Sequence, residues 1–532
     1  MINKMLVTLG RVDANMSRAS QILLLFSLLV ISLTRSSQDV PCAPYTVKAG
    51  YIVCVCNSTY CDTVPSADPV PKGQYIVYTT SKDGQRFDKQ VYSRVPTNSS
   101  HKVYKLRTAD TRQTIIGFGG AFTDAAGINI ASLPQPAQDN LINSYYSKEG
   151  IEYTVGRVPM ASCDFSTHAY SYDDVPGDLS LDHFSLAPED LNYKIPYIQA
   201  AMKVSTRPLK LFGSPWSAPA WMKTNNKMTG MGFLKGFPGG EYYKAWGNYF
   251  VKFLDEYSKH NISFWGLTAE NEPTNGFVVG FPFQCMGFTP ETQMDFIKQD
   301  LGPALHQAGY GNVKLMILDD QRPFAELWAR TVLSDKEASP YVSGIALHWY
   351  KDTASINILD RIHQLFPDKF LFATEACEGS FSWEKEKVDL GSWDRAASYA
   401  SDIISDLNHW VTGWTDWNLA LNQQGGPNWV SNFVDSPVIV NAKDGLFYKQ
   451  PMFYVMGHFS KFVVPGSVSL GTEAEVNDTL IEVTAFRRPD NSYATIIHNK
   501  GSEKTAVFLS DGSGGYLSVT SPGFSIQTVI WW

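Results

Sequence analysis

The sequence predicts an α/β protein: a (β/α)8 barrel in the middle of the chain, with β-rich segments at both ends that pair into a sandwich. Three observations lead there. Eight short apolar segments recur between residues 114 and 417, most of them ending in polar or aromatic residues. Helix-like patterns separate most of these segments, and strands alternating with helices eight times over point to a closed parallel barrel. Residues 74–107 alternate apolar and polar positions around a turn signal at Asp83-Gly84, and the same texture returns at 480–486, 493–498, 505–509 and 525–530.

Taken in order, the expected barrel strands are 114–120, 155–160, 209–215, 264–269, 313–318, 344–347, 369–374 and 413–417. Between strands three and four, Trp246, Tyr249, Phe250, Phe253 and Tyr257 recur at helical spacing. Thr289-Pro290 opens another helix, an N-cap followed by proline at the first helical position. Gly119-Gly120 lacks both the dinucleotide spacing and the lysine of a phosphate loop, so it reads as a tight turn of the first strand beneath the site.

The N-terminus reads as a secretory signal. Lys4, Arg11 and Arg18 precede an apolar run from Ile22 to Leu33, which is too short for a typical membrane span. A signal anchor is the competing reading. Removing residues 1–38 deletes four cations and Asp13, so the net charge moves from −8 to −11. Such acidity argues against nucleic-acid binding, which depends on neutralising phosphates, and suits an acidic compartment. Cys42, Cys54, Cys56 and Cys61 cluster after the signal and suggest two disulfides of open connectivity, with a zinc knot as the alternative. Cys163, Cys285 and Cys377 read as buried thiols, and sequons stand at Asn57, Asn98, Asn261 and Asn477.

In such a barrel the chemistry gathers where strands end, because the loops that follow the strands meet at one face. Asp164 follows strand two and Trp216 follows strand three; Asn271-Glu272 closes strand four, Asp319-Asp320 strand five, and His348-Trp349-Tyr350 strand six. Glu375 closes strand seven and Trp417-Asn418 strand eight. Strands four and seven face each other across a barrel, so Glu272 and Glu375 are placed to flank a bound sugar. Glycoside cleavage with retention needs a proton donor and a carboxylate nucleophile about 5–5.5 Å apart. An asparagine before the acid, here Asn271, suits a sugar 2-hydroxyl. The bland alternatives are salt-bridged glutamates, Trp216 and Trp417 as core packing, and Arg157 paired with a carboxylate inside the barrel. His348 reads as an orienting partner, because no second ligand stands beside it in the sequence. No metal or cofactor is expected, since two carboxylates suffice.

The blocks Gly117-Phe118-Gly119-Gly120, 157–166, Ser214-Pro215-Trp216, 268–273, 344–350, Glu375-Ala376-Cys377, 413–418, 425–429 and 450–454 resemble the glucosylceramidases (acid β-glucosidases) of glycoside hydrolase family 30. The resemblance runs from about Pro41 to the C-terminus. It implies Glu272 as acid/base and Glu375 as nucleophile, and it implies that Asp164, Trp216, Asn271, Trp417 and Asn428 hold glucose. Arg157, His348 and Tyr350 match residues around the nucleophile. It further implies disulfides Cys42–Cys54 and Cys56–Cys61 and a (β/α)8 TIM barrel over 113–418 with 452–467. An immunoglobulin-like β-sandwich is expected over 67–112 with 468–532, and a small three-stranded antiparallel β domain over 39–66 with 419–451. The expected setting is the lysosome lumen, membrane-associated, with secretion as the alternative, and the expected partners are a glucosylceramide-type glycolipid, a saposin-type activator protein and an anionic phospholipid surface. Gln424 and Phe281 depart from the family pattern near the expected entrance and bear on lipid-tail preference. The rival readings are a related β-glycosidase for a soluble oligosaccharide and a non-catalytic glycolipid-binding protein.

Overall fold

The computed structural model describes residues 39–97 and 102–532, so the expected signal segment and the sequon at Asn98 lie outside the described residues. Eight parallel strands close into a barrel: Gly117–Ala121, Val155–Met160, Lys210–Pro215, Gly266–Thr268, Lys314–Gln321, Val342–His348, Phe370–Glu375 and Val411–Asn418. The last strand returns to the first, with Gly413 opposite Gly117. Nearly every strand position is buried, as expected for strands covered by helices outside and side chains within. The helix Glu241–Ser258 turns Trp246, Tyr249, Phe250, Phe253 and Tyr257 inward, as their spacing predicts. Thr289 caps the helix Pro290–Phe296 in a reciprocal box with Thr292.

The first strand departs from expectation. Thr114 does not open it but closes a long strand, Val103–Thr114, that pairs antiparallel with Val468–Ala474. That strand belongs to a nine-stranded sheet built from both ends of the chain. The sheet folds over on itself, so that the Tyr75 hydroxyl reaches the carbonyl of Ser518 (2.6 Å) and Tyr75, Leu106, Val483, Val519 and Trp531 share one core. Shifts of register between Val103–Thr114 and Val468–Ala474 bend it at this point.

The small sheet has five strands rather than three. Pro44–Lys48, Tyr51–Cys56, Leu446–Lys449, Val438–Asn441 and Leu421–Asn422 lie in that order, and the last two run parallel. A two-residue strand carries no periodicity, which is why sequence pattern passes over it. Cys42–Cys54 and Cys56–Cys61 are bonded, and Cys163, Cys285 and Cys377 are free and buried. The helix Pro451–Ser460 is buried at all ten positions and packs against both barrel and sandwich. Among the described residues no helix is long and apolar enough to cross a membrane.

Candidate active site

Strands two to eight all deliver side chains to one cavity of about 320 Å³ at their C-terminal ends. Asp164, Trp216, Asn271, Glu272, Tyr350, Glu375 and Trp417 line it together. One carboxylate oxygen of Glu272 lies within 4.8 Å of one from Glu375, with His348 between them. This proximity matches the short spacing of retaining glycosidases (about 5–5.5 Å) and falls short of the gap of about 6.5–9.5 Å that inversion needs to admit a water.

Each carboxylate is held by its own set of donors. Glu375 accepts from the Arg157 guanidinium and from the Tyr350 hydroxyl at 2.7 Å. Glu272 accepts from Gln321 Nε2 (2.7 Å), Asn275 Nδ2 (2.6 Å) and His348 Nδ1 (3.0 Å). The backbone at Glu272 is left-handed (φ +43°), which turns the side chain off the end of strand four just before Pro273. Arg157 also reaches Asn271 Oδ1 and Asp319 Oδ2, both at 2.8 Å. Burial and the paired carboxylate therefore both describe Arg157, and its guanidinium sits 4.9 Å and 5.2 Å from the Trp216 and Trp417 rings. Those two indoles stack at 5.3 Å; they are core residues and cavity wall at once.

Asp319 is the hub beneath the site, and the sequence reading gave it no role beyond closing strand five. It is fully buried and accepts from Arg157, from Thr268 and Thr374 (2.6 Å each) and from His348 Nε2 (3.0 Å). Burial alone would raise its pKa, but Arg157 and His348 hold it well below the usual carboxylate range. His348 faces a carboxylate from each ring nitrogen. Burial opposes its charge, yet Glu375 and Asp319 outweigh burial and push its pKa up to about 10. It is thus an imidazolium donating to both sides. Its nearest Glu375 oxygen is 3.9 Å away, so it sits closer to Glu272 than to Glu375. Glu272, His348 and Glu375 are close enough to surround a cation. Arg157 already neutralises Glu375 within this group.

Asn428 is behind the cavity wall, where with Asn432 it holds Asp164 Oδ2 (3.1 and 3.0 Å). Asn432, which the motif reading missed, lines the cavity itself. Burial pushes Asp164 up to about 7 against those two amides. Phe281 lines the mouth, edge-on to Phe283, whereas Gln424 stands exposed on the Asn422 turn and is not among the lining residues. Asn261 and Asn477 are exposed, and Asn57 is half-buried, its side chain accepting from Thr59 and Tyr60.

A closed barrel with paired carboxylates at the ends of strands four and seven and a C-terminal β-sandwich defines a glycoside hydrolase. The chain belongs to glycosyl hydrolase family 30: the family's TIM-barrel domain matches residues 115–463 and its beta sandwich domain matches 466–529. It is 49% identical over 494 residues to the lysosomal acid glucosylceramidase of Mus musculus, covering 92% of this chain and 95% of that one. It is 45% identical to the putative glucosylceramidase 4 of Caenorhabditis elegans, covering 90% and 92%. Among solved structures, SrfJ from Salmonella typhimurium superposes with a TM-score of 0.79 at 28% identity, covering 86% of this chain and 99% of that one.

Proposed function

We propose that the chain is a retaining β-glucosidase that hydrolyses glucosylceramide to glucose and ceramide, with Glu375 as nucleophile and Glu272 as acid/base. The observation that carries the retaining mechanism is the proximity of the two carboxylates, each with separate donors. The substrate follows the identity to the glucosylceramidases. In the first step a Glu375 oxygen bonds to the anomeric carbon, the glycosidic bond breaks, and the Glu272 proton passes to the departing ceramide oxygen. In the second step Glu272 takes a proton from water, the water oxygen bonds to the anomeric carbon, and Glu375 leaves as a carboxylate. Arg157 and Tyr350 stabilise that carboxylate and aim it. Asp164, Trp216, Asn271 and Trp417 hold the glucose, and Asn428 acts through Asp164.

The setting is the lysosomal lumen, reached by a cleaved signal peptide, with glycans on the four sequons and the three-part division of the chain expected from sequence. The enzyme works as a peripheral protein on an anionic lipid surface with a saposin-type activator. Exposed Phe277, Val278 and Val279 lie in the chain between the lining residues Asn275 and Phe281, and exposed Trp383 stacks on the lining Phe381, which supports an approach to apolar substrate tails.

The test is glucose release from glucosylceramide in anionic-lipid vesicles at acid pH, wild type beside Glu375→Gln. Turnover in the first and none in the second is expected. If Glu375→Gln keeps activity within roughly tenfold, a barrier change of only about 1.4 kcal/mol, it is not the nucleophile. A folded wild type that splits a soluble disaccharide far better than glucosylceramide would move the substrate to the oligosaccharide reading.

A further inference from the structure

Glu272 opens a tight turn. Pro273 follows it, a short 3₁₀ helix runs Pro273–Phe277, and the backbone N–H of Asn275 donates to the Glu272 carbonyl at 2.9 Å. The Asn275 side chain reaches back over the same turn, and its Nδ2 donates to Glu272 Oε2 at 2.6 Å. One residue, three positions on, therefore fastens both the main chain and the side chain of Glu272. The turn is anchored to strand five, where Asp320 accepts from the backbone N–H (3.1 Å) and the hydroxyl (2.7 Å) of Thr274. Glu272 and Asn275 both line the cavity.

The two oxygens of Glu272 are not equivalent. Oε1 accepts from Gln321 Nε2 (2.7 Å) on strand five and from His348 Nδ1 (3.0 Å) on strand six, which occupies both of its lone pairs. Oε2 accepts from Asn275 alone among the described residues. A protonated carboxyl needs a free lone-pair position for its proton, and Oε2 has one. The last torsion of a glutamate is broad, so the side chain does not fix the plane of its own carboxyl; partners on both oxygens do. The oxygen with room for the proton is thus the one whose direction Asn275 sets. The amide presents its nitrogen there, because an ionised carboxylate only accepts.

We propose that Oε2 carries the proton that Glu272 delivers, and that Asn275 is the positioning residue that aims this oxygen at the leaving group. This rests on the reading of Glu272 as acid/base. In the first step Glu375 bonds to the anomeric carbon and the glycosidic bond breaks. The proton on Oε2 passes to the departing oxygen, and its electron pair stays on Oε2, where the Asn275 N–H meets it. In the second step the same oxygen takes a proton from water. Without Asn275, the donors on strands five and six hold only Oε1, and Oε2 loses its fixed direction. Misaim of this kind costs most where proton transfer matters most, with poor leaving groups.

The test is kcat and kcat/KM across aryl β-glucosides of graded leaving group, for wild type, Asn275→Ala and the isosteric Asn275→Asp. Asn275→Ala should lose roughly tenfold in kcat/KM on the poorest leaving group and less than about threefold on the best. On the poorest the loss should fall in kcat and leave KM in place. Asn275→Asp keeps the size but replaces the donor with an acceptor, and should lose at least as much. The Asn275 side chain is half-buried and has no other hydrogen-bond partner among the described residues, so both variants should keep the wild-type urea midpoint. A loss equal on every leaving group, a loss confined to KM, or an Asn275→Asp as active as wild type overturns the proposal. Should Asn275→Ala fail to fold, Asn275→Asp carries the same comparison alone. Failure of the acid/base reading looks different: Glu272→Gln would then lose as much activity on good leaving groups as on poor ones. Where Glu272→Gln falls steeply on poor leaving groups and Asn275→Ala stays flat, only the role of Asn275 is rejected.

Discussion

Asp319 takes hydrogen bonds from two cations and two hydroxyls in a place no solvent reaches. Removing its charge leaves Arg157 and the His348 imidazolium buried without their shared partner, and breaking a buried pair costs about 3–5 kcal/mol. Asp319→Asn should accordingly lower the urea midpoint markedly and reduce kcat, because Arg157 and His348 both lose their aim. An unchanged midpoint would show that the hub is dispensable. The same residue sets an acid limit. With a folded pKa below its unfolded value of 3.8, its contribution is present above that pH and fades as pH falls through the folded pKa. Motif position made Glu272 and Glu375 legible, since a carboxylate at a strand end has only one face to point toward. Asp319 also stood at a strand end, but its role depends on Arg157, 162 residues away, and on no local pattern.

At the scale of elements, Gly119 lies where strand one passes closest to strand two. A Cβ there would sit 1.9 Å from the backbone carbonyl oxygen of Val155, which cannot move without breaking the barrel ladder. The glycine is there for close packing of two strands; the tight turn expected from sequence is not its role. Gly119→Ala should therefore yield no folded protein. Gly120→Ala meets the end of the Leu419 side chain at 2.9 Å and the Trp417 carbonyl oxygen at an ordinary 3.5 Å, and should remain folded with a lowered Tm. Equal yields of the two variants would contradict this account. The cap at Thr289 is a milder case: Thr289→Ala removes one side-chain acceptor and should cost about 1 kcal/mol, read as a small shift in the urea midpoint. The helix Glu241–Ser258 and this cap were readable because 3.6-residue spacing and capping chemistry are local. Strand Val468–Ala474 went unread because its edges are polar and its pairing with Val103–Thr114 joins distant parts of the chain.

Across the whole molecule, buried acids dominate the response to pH. Burial pushes Asp164 and Glu378 up to about 7 and Asp416 up to about 8. A carboxyl whose folded pKa lies above its unfolded value contributes stability at low pH and loses it as pH rises through the folded value. His348, raised to about 10, likewise loses its contribution as pH climbs above 6.5. His458 acts in the opposite sense. It is buried between Thr528 and Thr80 where the barrel meets the sandwich, is lowered to about 3, and weakens the fold as pH falls below 6.5. The balance predicts a higher Tm near pH ~5.5 than near pH ~7.5, as suits an acidic compartment. A Tm that is flat or rising over that interval would show that these groups relax or take in water when ionised.

The class of fold and the two catalytic candidates were within reach of the sequence, because alternation, helical spacing and the strand-end rule are properties of short stretches of chain. The pairing Cys42–Cys54 and Cys56–Cys61 came through family resemblance and not through spacing. What tertiary structure decided is of another kind. It brought Arg157 onto Glu375 across 218 residues, placed His348 against Glu272, and put Asn428 behind Asp164 and Asn432 in front. Hydrogen-bond partners and pKa shifts depend on distance in space and on the exclusion of water, and closing the barrel is what sets both.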